Sequence, residues 1–117
     1  MILVDTNVLV YATNADSPSH EACRAVVDAA RSKVLAAAVT PQVLLEFFAV
    51  VTDPRRVKNP LDPEEAWRQV DAFRAVFPVL DAGGKALNYL HTALIEKRTR
   101  GASVFDAYLV AQMRAAG

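Results

Sequence analysis

The sequence has little of what several kinds of function require. It holds one cysteine, Cys23, in 117 residues, which excludes an intramolecular disulfide framework and suits a reducing compartment. Its two histidines, His20 and His91, do not stand at the Cys/His spacing of a zinc site. Of its four glycines only Gly83 and Gly84 adjoin, and a lone pair of turn glycines is not a phosphate-binding loop. Charge of one sign is not in excess either, with thirteen basic side chains against thirteen acidic ones. The net charge therefore carries no signature of a nucleic-acid or membrane binder, although a local basic patch is compatible with it. No stretch reaches the ~18 uncharged apolar residues of a membrane span. The opening Met1-Ile2-Leu3-Val4 lacks the basic start of a signal peptide, so a cytoplasmic protein without membrane association is expected. Neither an internal repeat nor a low-complexity segment is visible.

What is present is a globular composition. Apolar residues make up 53% and charged residues 22%, enough to close a core in one domain of this length. Ile2-Leu3-Val4 reads as a short strand covered on both faces. Pro18-Ser19 opens a helix to about Ala30, with Ala22, Val26 and Ala29 at helical spacing. Val34 to Val39 reads as a second buried strand. Thr40-Pro41 is a helix start, a capping hydroxyl followed by proline at the first helical position. The helix it opens places Val43, Leu44, Phe47, Phe48 and Val51 on one face and stops near Asp53-Pro54. Asp62-Pro63-Glu64-Glu65 repeats the start signal for a helix to about Val76. Phe77 to Leu80 reads as a third strand, Gly83-Gly84 breaks the chain, and a helix covers roughly Lys85 to Lys97. Gly101 ends the connection, and Ser103 begins a last apolar helix that runs to the C-terminus. This alternation predicts an α/β fold with a parallel sheet, whose sites form at the C-terminal edges of strands.

Three acids interrupt apolar stretches. Asp5 ends the first strand, Glu46 divides Val43-Leu44-Leu45 from Phe47-Phe48, and Asp106 lies between Val104-Phe105 and Ala107-Tyr108-Leu109-Val110. Singly, each has a structural explanation. Asp5 could start a turn in Asp-Thr-Asn, Asp106 stands three residues after Ser103 as in a capping box, and Glu46 flanks an apolar helix face near the core boundary. Together they lie near element ends that a parallel fold gathers at one sheet edge. Carboxylates buried there would call for a partner, and oxygen-only ligands suit Mg²⁺ or Mn²⁺. Such a cation can activate water and stabilise charge on a phosphodiester.

The clearest basic clusters are Arg55, Arg56 and Lys58 in the proline-bounded loop from Asp53 to Pro60, and Lys97, Arg98 and Arg100. Both read as solvated charge more readily than as phosphate contacts, with Lys97 and Arg98 favoured at a helix C-terminus. Trp67, Phe73, Phe77 and Tyr89 read as core or interface packing, and Cys23 as a small buried residue.

On Val4-Asp5-Thr6-Asn7-Val8-Leu9-Val10, Thr40-Pro41 through Glu46-Phe47, and Val104-Phe105-Asp106-Ala107-Tyr108-Leu109, the chain resembles the PIN-domain family, and within it the VapC-type toxins of toxin–antitoxin pairs. The resemblance covers the whole chain. It implies a three-layer fold with a parallel central sheet flanked by helices, and a Mg²⁺- or Mn²⁺-dependent endoribonuclease that hydrolyses RNA with a metal-activated water. Asp5, Glu46 and Asp106 match the metal-binding acids. Thr6 and Asn7 match polar residues that support the site, Thr6 by orienting Asp5 or a water and Asn7 by fixing the turn. The implied partners are an RNA substrate, a cognate antitoxin and a second copy of the chain. Family members continue past the last helix into further strand, with a fourth acid or polar residue after it, whereas this sequence stops at Gly117. A single PIN-like domain over residues 1–117, short of its last strand or strands, is expected. The alternative is a catalytically impaired PIN fold that binds antitoxin or RNA. A phosphoacceptor role for Asp5, as in receiver-like domains, ranks last, because no second acid adjoins Asp5.

Overall fold

The computed structural model describes residues 1–81 and 83–116, in two units: Met1–Val79, and from Leu80 onward. In the first unit, β1 (Ile2–Leu3) pairs in parallel with β2 (Ala37–Ala38), Ile2 opposite Ala37 and Leu3 opposite Ala38. The Ile2 and Val4 amides donate to the Ala36 and Ala38 carbonyls at 3.0 and 2.9 Å. A parallel bridge joins Val39 to Val79, with the Val39 amide donating to the Pro78 carbonyl at 3.0 Å. Parallel pairing is as expected, but the ladders are shorter than the apolar runs suggested. Val34 is exposed rather than part of a buried strand, and the expected third strand is reduced to the single bridge at Val79.

Four helices belong to this unit: α1 (Thr6–Thr13), α2 (His20–Arg31), α3 (Pro41–Val51) and α4 (Pro63–Val76). α1 is the element that the sequence did not announce. Asp-Thr-Asn reads locally as a turn, and Val8, Val10 and Thr13 are β-branched and weakly helix-forming. Packing overrides that preference: Leu9, Val10 and Ala12 are buried, and α1 lies against α2 and α3. On α2 the buried stripe is Val27 and Ala30, one position on from the expected face, with Cys23, Val26 and Ala29 half-buried and Ala22 exposed.

The two proline-marked helix starts behave as read. Thr40 Oγ1 accepts from the Val43 amide at 3.2 Å, and Asp62 Oδ1 from the Glu65 amide at 2.9 Å. Each bond satisfies one of the amides that a helix N-terminus leaves unpaired. Beneath them Phe47, Phe77, Leu9, Val39, Val43 and Val70 are fully buried. The Phe47 and Phe73 rings meet edge to face at 5.1 Å, an arrangement that adds about 0.5–1.5 kcal/mol to the burial itself.

The second unit is a helix pair, α5 (Gly83–Lys97) and α6 (Ser103–Ala115), packed on one another. Gly83 and Gly101 have φ of +54° and +62°, the region that glycine enters without a Cβ clash. The capping box expected at Ser103 does not form. Ser103 is already helical, Ala102 is the cap residue, and no side chain caps α6. α6 ends at Ala115, and Gly117 lies outside the described residues. Among the described residues, no helix is long and apolar enough to cross a membrane.

Candidate active site

β1 delivers the chain to Asp5, whose backbone is extended (φ −75°, ψ 154°) and which occupies the cap position of α1. The Asp5 carbonyl accepts from the Val8 amide at 3.1 Å, so its main chain starts the helix. Its carboxylate does not cap α1 and is exposed. The local structure thus leaves this acid available to another partner.

The next residue links two elements. Thr6 is buried, at 7% exposure, and its hydroxyl donates to Glu46 Oε2 on α3 at 2.8 Å. Gln42, one turn earlier on α3, donates from Nε2 to Glu46 Oε1 at 2.9 Å. Both carboxylate oxygens of Glu46 are therefore held, and the group is aimed rather than free to rotate. Hydrogen bonds to a charged acceptor contribute about 1.5–3 kcal/mol each where they are shielded from water. Thr6 was expected to orient Asp5 or a water; it orients Glu46 instead. The sequence signals Gln42 only through its spacing, since residues at i and i+4 on a helix are neighbours.

Asn7 is exposed on the first turn of α1, inside the helix rather than in a turn before it. Asp106 lies in the second unit, exposed on the first turn of α6, where a negative charge is favourable to the helix dipole. The expectation that the three acids are buried is corrected: Asp5, Glu46 and Asp106 are all exposed. Some of their apolar neighbours are buried, namely Val4, Val43, Leu44 and Phe47, whereas Leu45 beside Glu46 and Phe105 beside Asp106 are exposed with the acids. Within either unit taken alone, and among the described residues, no three His, Cys, Asp or Glu side chains gather closely enough to hold a metal ion.

The donor chemistry of the first unit still fits a hard cation. Asp5 and Glu46 supply only oxygen, and each Glu46 oxygen accepts one hydrogen bond and keeps a second lone pair. His20, by contrast, has a structural partner, its Nδ1 lying 2.8 Å from the Tyr11 carbonyl oxygen.

The family model of the PIN domain matches residues 2–117. The chain belongs to the PIN-domain family. This PIN domain is 37% identical over 75 residues to Ribonuclease VapC43 of Mycobacterium tuberculosis, covering 64% of the chain and 51% of that relative. It is 40% identical over 76 residues to Ribonuclease VapC24 of the same organism, covering 63% of the chain and 50% of the relative. Ribonuclease VapC48 of M. tuberculosis matches at 34% over 113 residues, which is 94% of the chain and 77% of the relative. The chain spans about half the length of the first two relatives. The α/β architecture, with six helices and a parallel strand pair among the described residues, agrees with this membership.

Proposed function

We propose that this PIN domain is a metal-dependent endoribonuclease of the VapC type, the toxin of a toxin–antitoxin pair. The observation that carries the reading is the bond from Thr6, next to Asp5, to Glu46 on α3. It places Glu46 against the residue that follows Asp5, although the two acids lie 41 residues apart in the sequence, and supports a shared site past the end of β1. Aiming a carboxylate with a buried hydroxyl is what a ligand to a metal requires. It is unneeded for an acid that only solvates the surface.

In this reading Asp5 and Glu46 are metal ligands, and Asp106 is the third, assigned from its motif Val104-Phe105-Asp106-Ala107-Tyr108. Thr6 and Gln42 are positioning residues that hold the Glu46 carboxylate. Asn7 supports the start of α1. The cation is Mg²⁺, or Mn²⁺ in its place, which suits an all-oxygen donor set. When bound, it supplies an activated water and charge stabilisation at the phosphodiester. The chain's own residues fix where it sits and exclude alternative carboxylate rotamers. An antitoxin segment that covers these acids would silence the enzyme, and the working form is a homodimer.

The test is cleavage of a structured RNA with Mg²⁺, with and without EDTA, by the wild-type chain and by Asp5→Asn. Metal-dependent cleavage that Asp5→Asn abolishes is the expected result. Equal cleavage by the two proteins would sink the assignment. RNA binding without any cleavage would make the fold a binding module instead.

A further inference from the structure

A cleft of about 400 Å³ opens in the first unit at the end of α1 opposite Asp5. This is at the lower end of the range for small-molecule sites, about 300–1,000 Å³. Its lining divides by chemistry. Val10, Val51, Val57 and Leu61 form an aliphatic part, and Asn14, Asp16, Asn59 and Gln69 supply amide and carboxylate groups. Lys58 is the single cation among the lining residues.

The loop that carries Lys58 is built rather than loose. The Asp53 carbonyl accepts from the Arg56 and Val57 amides at 2.9 and 3.1 Å, and the Leu61 amide closes the loop onto the Val51 carbonyl at 2.8 Å. The Asp53 carboxylate takes the Arg55 amide and, from both of its oxygens, the Arg55 guanidinium. Arg55 is thereby paired within the loop. Among the described residues no carboxylate pairs with Arg56 or Lys58. On the other rim, the Asp16 amide donates to Asn14 Oδ1 at 3.1 Å, which folds this short turn, and among the described residues no cation pairs with the Asp16 carboxylate.

An aliphatic surface beside hydrogen-bonding side chains, with one unpaired cation, matches the parts of a nucleotide: a flat apolar face, a polar edge and a phosphate. We infer that the cleft is a subsite of the RNA substrate, seating one unpaired base with Lys58 on the adjoining phosphate. Asp16 accepts from an N–H on the edge of that base, which all four bases present, and the amides of Asn59 and Gln69 donate or accept beside it, so the cleft takes an unpaired base without selecting among the four. The inference rests on the ribonuclease reading for its substrate, and geometry supports the connection. α1 is 8 residues long, about 12 Å at 1.5 Å per residue, so a few nucleotides of extended strand reach from Asp5 to the cleft.

The experiment is a titration of the isotopically labelled wild-type chain, in EDTA, with a short unstructured oligoribonucleotide. Affinity is followed by fluorescence anisotropy at several salt concentrations. The methyl resonances of Val10, Val51, Val57 and Leu61 are expected to shift. Lys58→Gln should weaken binding roughly threefold to tenfold and reduce the salt slope by about 0.7, the value for one single-strand phosphate contact. Lys33→Gln, which removes the same charge from outside the cleft, should leave the affinity unchanged. Methyl resonances that do not move, or equal losses in the two lysine variants, would overturn the subsite. Because EDTA removes the chemistry, the two readings fail separately. Cleft binding by a chain that does not cleave RNA upholds the subsite and removes the nuclease, whereas cleavage without these shifts removes the subsite alone.

Discussion

Thr6 is buried, while the carboxylate it serves is exposed. That asymmetry gives the threonine its weight, because a donor in a packed setting cannot turn away from Glu46 without leaving its hydroxyl unsatisfied. Thr6→Val keeps the shape and removes the donor. RNA cleavage should fall about 10- to 100-fold, with a matching loss of Mg²⁺ affinity, as for other residues that orient a metal ligand. Thr6→Ser should restore most of both. A Thr6→Val chain with unchanged dependence on Mg²⁺ concentration would show that the hydroxyl serves only packing. Asp53 offers a second test at this scale. The Arg55 side chain, and then its amide, hydrogen-bond the Asp53 carboxylate and hold its pKa below the ordinary aspartate value. An acid lowered in the folded chain adds stability that is complete above the ordinary value. That contribution fades as pH falls through the lowered one. Arg55→Gln removes the larger cause and leaves a main-chain donor, so the Asp53 midpoint followed by carbon-detected NMR should rise part of the way back. No rise would mean that the pair is not formed in solution.

At the scale of elements, two helices end with a side chain where glycine is usual. After α2 the Lys33 amide donates to the Ala30 carbonyl and the Val34 amide to the Ala29 carbonyl, at 3.1 and 2.9 Å, with Lys33 at φ +63°. Arg98 repeats the pattern after α5, with φ +51° and bonds from the Arg98 and Thr99 amides to the Ile95 and Leu94 carbonyls. Both are Schellman closures. An L-residue in this region costs about 1–2 kcal/mol, part of which glycine loses again through its greater freedom when unfolded. Lys33→Gly should therefore stabilise the chain by about 0.5–1 kcal/mol in urea unfolding; a loss of stability would mean that the lysine side chain makes a contact worth more than the strain. Such ends could not be read in advance, since neither Lys nor Arg signals a left-handed residue. Thr40-Pro41 and Asp62-Pro63 could be read because a cap and a proline act within one turn. The burial of the acids was misjudged because apolar neighbours in sequence do not share a side chain's direction. On α3 the steps from Leu44 to Glu46 and from Glu46 to Phe47 turn far enough to bury Leu44 and Phe47 while Glu46, with Leu45, faces solvent. α1 was hidden for the opposite reason, being weak locally and held by tertiary contact.

At the scale of the molecule, the two units carry unequal cores. The first buries large side chains, Phe47, Phe73 and Phe77 with Leu9, Val39, Val43 and Val70. In the second, the buried apolar side chains among the described residues are Ala86, Leu90 and Ala111, while Leu87, Ile95, Phe105, Val110 and Met113 are exposed. Burying a leucine is worth about 1.5–3 kcal/mol and an alanine much less, so this helix pair gains little from burial. Gln112 subtracts from that gain: it is 2% exposed, and its Oε1 has no hydrogen-bond partner among the described residues. An unsatisfied buried acceptor costs about 1–3 kcal/mol. The stacking of Arg114 on Tyr89, at 5.3 Å from the ring centre, offsets part of it, by about 0.5–1 kcal/mol at an exposed site. Cooperative units of a protein open with free energies that follow such differences. Amides in the middle of α5 and α6 should therefore exchange with deuterium well before those of α3, under conditions where both are hydrogen-bonded. Gln112→Leu removes the orphan acceptor and should slow exchange across α6 with no effect on α3. Equal protection of α3 and α6 in the wild-type chain would mean that the two units open as one, and that the second draws its stability from more than its own small core.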